Sequence, residues 1–158
     1  SGALFDPEHD DPAPGWVGRA EYFDEFGPIE LGLGASAMGL RANRLEGADL
    51  LVRWRGDSWR SVVWMTELVR EVHCDEPSPG DLGWVSTLQL QPTRPLYLGL
   101  RVDGIADELR YGGTVSYYTS EFLRVRVSSF GDGEEVRTDG QLTFVWGSHP
   151  VEPYWVNR

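Results

Sequence analysis

The strongest constraint on this chain is an alternation of apolar and polar side chains with a period of two. Leu50, Val52 and Trp54 share one parity and alternate with Arg53 and Arg55. Leu96, Leu98, Leu100 and Val102 repeat at every second position, and Leu123, Val125 and Val127 alternate with Arg124 and Arg126. Successive side chains of a strand point to opposite faces, so such segments read as strands with two unlike faces. Further runs of the kind lie at 17–23, 29–33, 84–91, 111–118, 142–146 and 151–156.

Breakers separate them. Gly27-Pro28, Arg55-Gly56-Asp57-Ser58, Pro92 with Pro95, Asp103-Gly104, Gly131-Asp132-Gly133 and Asp139-Gly140 all carry turn chemistry. The chain has 19 Gly and 10 Pro among 158 residues, about 18% against a usual share of roughly 12%. The reading is an all-β fold: one antiparallel β-barrel or β-sandwich of about eight to ten short strands, with an indole-rich interior. Residues 1–15 form an acidic, proline-rich arm that cannot build regular structure, and residues 16–158 form a single β domain.

Two segments compete with this. Val62, Met65, Val69 and Val72 fall at three- and four-residue spacing, with Asp57 or Ser58 as a cap. They suit a helix within 58–73, which would make the fold α+β. The glycines of Gly32-Leu33-Gly34 and Gly39, before Leu50-Leu51-Val52, imitate the glycine loop of a dinucleotide-binding unit. Their spacing is wrong for it, and Arg53 and Arg55 stand where an acidic residue belongs. A bent, glycine-rich strand pair is the better account.

Val17-Gly18-Arg19 and Phe23 to Gly32 resemble the first hairpin of allene-oxide-cyclase-like and dirigent-like barrels. The overlap spans some sixteen residues, an analogy at the level of fold. It implies a barrel whose cavity could host a cyclase.

The formal net charge is −11, so nucleic acid and anionic membrane surfaces are disfavoured as partners. Every cation among the 14 is Arg. Cys74 is the only cysteine, which excludes an internal disulfide and suits a reducing cytoplasm. No run of eighteen apolar residues and no signal peptide is present, so a cytoplasmic chain without membrane contact is expected.

No metal or cofactor is expected. His9, His73 and His149 lack the spacing of a zinc site, and His73-Cys74 beside Asp75 and Glu76 is a poor setting for a thiolate. The acidic runs 6–11 and 132–139 lack a calcium loop and read as solvated turns.

The aromatics are the remaining signal. Trp54, Trp59, Trp64, Tyr117 and Trp146, with Glu67, are the candidate ligand- or partner-binding residues. The expected function is a non-catalytic recognition domain whose aromatic, acidic surface engages a protein partner or an apolar small molecule. Two alternatives stand beside it: a cofactor-independent cyclase or isomerase with an apolar cavity containing Glu67, Tyr117 and Trp64, and an assembly subunit pairing through its sheet edges.

Overall fold

The computed structural model describes residues 15–40, 43–73, 82–105 and 108–146. They form nine strands: β1 (Trp16–Phe26), β2 (Ile29–Leu40), β3 (Asn43–Arg55), β4 (Ser61–His73), β5 (Leu82–Thr93), β6 (Leu96–Ile105), β7 (Glu108–Ser120), β8 (Leu123–Gly131) and β9 (Val136–Phe144). Each strand pairs antiparallel with the next, in the order β1 to β9. Within the described residues β9 does not return to β1. The molecule therefore presents one open antiparallel sheet, and neither a second packed sheet nor a closed barrel is seen.

The all-β expectation holds and the α+β alternative does not. Residues 61–73 are strand β4, paired along its length with β3. Its helical spacing arose because apolar residues occupy both faces of that strand, Val62 and Trp64 on one and Val63, Met65 and Val69 on the other. The glycines at 32, 34 and 39 lie in β2, as a strand and not a phosphate loop. The acidic arm and the expected strand at 151–156 lie outside the described residues.

Strand length also departs from expectation. The strands run from 9 residues in β8 to 13 in β3, longer than the usual five or six. Some of the described turns between them are tight. Gly27 takes φ of +63°, which glycine reaches at little steric cost, and Pro28 fixes the next φ. The amide of Arg55 then donates to the carbonyl of Pro28 at 2.8 Å, tying that turn to β3.

The strands are staggered. Phe26, the last residue of β1, lies through the register opposite Gly140, four residues short of the end of β9. That is a slide of about 13 Å. At the other rim Gly131, the end of β8, is level with Leu33, seven residues short of the end of β2. Such a slide accompanies strands that tilt as a sheet curls.

The two faces divide by parity, and the division is inverted relative to a water-soluble sheet. The buried polar residues Glu30, Arg53, Ser61, Gln91 and Ser116 all lie on one face, together with Val63, the only buried hydrophobic residue among those described. The other face carries Trp16, Tyr22, Phe26, Leu33, Trp54, Trp64, Tyr111, Val115, Tyr117, Leu142 and Phe144, each more than 40% exposed. The described residues form one layer, so among them no apolar core lies between layers. The polar face is concave: a hollow of about 220 Å³ is lined by residues from β4 through β8, including Val63, Gln89, Tyr97, Arg101 and Arg126.

On the outward face large rings lie over glycines of the paired strand. The indole of Trp16 covers Gly39 and that of Trp84 covers Gly104, each ring opposite its glycine in register. A Cβ on Gly39 would collide with the Trp16 ring, so the glycine is what lets the indole lie flat.

Candidate functional site: the polar face

The concave face is built by the residues that alternate with the apolar ones. Arg19 and Glu21 come from β1, Glu30 from β2, Asp49 and Arg53 from β3, Glu67 from β4, and Arg101 and Asp103 from β6. Arg110 follows from β7 and Arg124 and Arg126 from β8.

On the β1–β4 side the charges satisfy one another. Glu30 meets Arg53 Nη1 at 3.0 Å and Arg55 Nη2 at 2.6 Å, and the Glu30 and Arg53 side chains are almost wholly buried. A buried ion needs such pairing, since desolvating it alone costs several kcal/mol. Further along, Arg19 binds Glu21 at 2.5 Å and Asp49 at 2.9 Å, reaching across β2. Gly34 makes this possible: a Cβ there would overlap the Asp49 carboxylate. Beside this bridge is a hollow of about 410 Å³ whose floor includes Phe23, Leu51 and Met65.

On the β6–β9 side Arg101 meets Asp103 at 2.7 Å, Arg110 meets Glu108 at 3.3 Å and Arg137 meets Asp139 at 3.3 Å, but two inward arginines of β8 have hydroxyl partners instead. Arg124 donates to Thr143 at 3.1 Å and Arg126 to Ser116 at 3.0 Å, both hydroxyls. Among the described residues neither has a carboxylate within ion-pair distance. The hollow against β4–β8 that contains Arg101 and Arg126 has no Asp or Glu in its lining. Tyr97 and Tyr118 meet edge to face at 5.1 Å, at the same rim.

The outward face handles its few polar groups differently again. Trp64 Nε1 donates to Ser86 at 3.0 Å, and Thr66 and Ser86 share a hydrogen bond of 3.0 Å. These three polar groups thus find partners within the sheet.

The structure does not gather the candidate residues read from the sequence. Trp54, Trp64 and Tyr117 project outward, Glu67 projects inward, Trp59 lies in the 56–60 connection and Trp146 lies beyond β9, 91% exposed. Arg60 covers the Trp59 ring at 4.7 Å. The residues that sequence reasoning passed over are the inward ions, above all Glu30, Arg53 and Arg126. Their signal was present: Arg53, Arg124 and Arg126 hold the parity opposite the apolar residues.

Of the acidic run 132–139 only residues 132–135 form a turn; residues 136–139, and Gly140 after them, belong to β9. Asp132 Oδ1 accepts the amides of Glu134 and Glu135, each at 3.0 Å. These two bonds hold its carboxyl below the usual range, the Glu135 amide contributing most.

No family model matches the chain, and no curated protein matches it. Among solved structures the sheet is similar to the KdgM porin and to the KdgM porin in complex with disordered oligogalacturonate. Each likeness has a TM-score of 0.52 at 12% identity, over 84% of this chain and 76% of the other. Likeness at that identity concerns the fold.

Several expectations are corrected by these findings. The candidate aromatics do not line the concave face, which is charged: Trp64 and Tyr117 point away from it, Trp64 toward an open apolar hollow of about 350 Å³ that it lines with Leu88, Leu100 and Val102. This removes the cyclase reading and the allene-oxide-cyclase analogy behind it. An exposed face of contiguous large apolar side chains does not suit a water-soluble recognition domain or an edge-pairing assembly subunit. Together with the porin-like fold, it overturns the cytoplasmic placement, the exclusion of membranes and the choice of a soluble protein or an apolar molecule as partner. No helix among the described residues is long and apolar enough to cross a membrane, a fact that does not bear on strands.

Proposed function

We propose that this chain forms the wall of a membrane-spanning β-barrel that passes polar solutes, with its charged face toward the channel and its apolar face toward lipid. The observation that carries this is the inverted parity: the buried positions are polar and the exposed ones apolar. A typical strand here of about 11 residues spans roughly 36 Å, or about 26 Å when tilted by 45°, close to the hydrocarbon thickness that a barrel must match. Trp16 and Trp84 near one rim, and Phe26, Trp54, Tyr117 and Phe144 near the other, lie where aromatic girdles meet the membrane interfaces.

The solute favoured by this reading is a polar anion such as an acidic sugar. Arg126 and Arg124 contribute positive charge with no carboxylate bound to them, and one similar porin is described with oligogalacturonate. Conductance across a planar bilayer tests the reading. The expected result is stepwise current in the presence of the refolded chain, with anion preference that falls several-fold in R124Q/R126Q. Protein that inserts but never conducts would overturn it.

A further inference from the structure

Charged residues are rare on the outward face. Along the described strands they are Asp24 on β1, Arg44 and Glu46 on β3, and Arg70 on β4. Three of the four stand together. Glu46 is the register partner of Arg70, and Arg44 lies one outward position nearer the rim. Arg44 meets Glu46 at 3.0 Å, and its guanidinium also rests over the Trp16 ring at 5.8 Å. Among the described residues Arg70 has no carboxylate within ion-pair distance. The corner thus holds two guanidiniums against one carboxylate, with an indole beside them.

Its position gives the charge a meaning. The corner lies on β1–β4, where the stagger carries β2, β3 and β4 well past the level at which β8 ends. Inward of it, at the next outward positions, come Ala48, Leu68 and Trp84. In a barrel wall a cation at the midplane costs about 2–4 kcal/mol, and near the interface close to nothing. Charges kept toward the rims, three of the four in this corner, therefore mark headgroup depth, and a surplus guanidinium at that depth meets phosphate.

We infer that Arg44 and Arg70 form a binding site for the phosphate of an anionic lipid headgroup, with Trp16 holding the corner at the interface. This rests on the membrane-spanning reading. A planar guanidinium gives a phosphate two parallel hydrogen bonds, and Glu46 fixes Arg44 so that less freedom is lost on binding.

The test uses the full chain refolded into vesicles of phosphatidylcholine containing phosphatidylglycerol, then extracted in mild detergent. The lipid retained per chain is measured by mass spectrometry. The wild type is expected to retain phosphatidylglycerol above its bulk share. R44Q/R70Q is expected to lose that enrichment about thirtyfold, from roughly 1 kcal/mol for each of the two basic residues near an anionic surface. R44K/R70K is expected to keep most of it, and R70Q alone serves if the double variant does not insert. Equal enrichment in wild type and glutamine variants would overturn this inference while leaving the membrane reading intact. So would a wild-type dimer held through this corner without lipid enrichment. A wild-type chain that never inserts, remaining open to protease along its length, would overturn both.

Discussion

The two faces of this sheet are made by the same strands and follow opposite rules. On the concave face polar groups are buried and hold one another, as Glu30 does with Arg53 and Arg55. On the outward face apolar groups are exposed, and some of the polar ones close on neighbours, as Trp64 does on Ser86. A soluble sheet hides its apolar face against a second layer, and among the described residues there is none. The contrast teaches that a period of two specifies two faces but not which of them meets water.

The largest effect is expected where the concave face is most buried. Glu30→Ala removes the carboxylate shared by Arg53 and Arg55 and should destabilise the folded state by about 4 kcal/mol, read from denaturant unfolding in detergent or lipid. A loss below 1 kcal/mol would show that the pair is not desolvated and that the concave face is open to water. The next test sets the faces against each other at adjacent positions of β5. Leu88→Arg, outward, should cost about 3 kcal/mol in lipid, whereas Thr87→Arg, inward, should cost under about 1 kcal/mol. Equal costs would break the comparison outright.

Smaller effects sharpen it. Gly34→Ala should displace the Asp49 carboxylate and loosen its bridge to Arg19, at about 1 kcal/mol, while Gly18→Ala, with open space around it, should be nearly neutral. The smallest effect belongs to the β8–β9 turn, which lies on neither face. The Asp132 carboxyl is held below its ordinary value in the folded chain, so its contribution is present above the unfolded value and fades as pH falls through the lower, folded one. Asp132→Ala should therefore remove a weak loss of stability on acidification below about pH 4 and leave neutral conductance unchanged. An unaltered acid profile in that variant would refute the assignment.

Much of the ladder could be read from the chain. The opposition of Leu50, Val52 and Trp54 to Arg53 appears in β3 as written, and so does that of Leu123, Val125 and Val127 to Arg124 and Arg126 in β8. The side that curls inward could not, because inverting the sheet leaves its alternation unchanged. Expecting an indole-rich interior assumed that large rings seek a protein core, whereas in the proposed membrane setting hydrocarbon outside offers them the same relief from water. Strand length was the clue left unused: strands longer than ten residues with turns as short as Gly27-Pro28 exceed what a small soluble sandwich needs. The ion pairs were beyond reach, since Arg19 and Asp49 meet only through the register and over a glycine.

The sliding of the strands also decides what a traveller through such a wall would encounter. Glu21, Asp49, Glu67, Asp103 and Arg110 share one rung of the ladder, yet a rung runs at right angles to inclined strands. They therefore descend like a spiral stair, each a step deeper than the last, and a moving ion would be handed from acid to base gradually and never stopped at a single collar of charge.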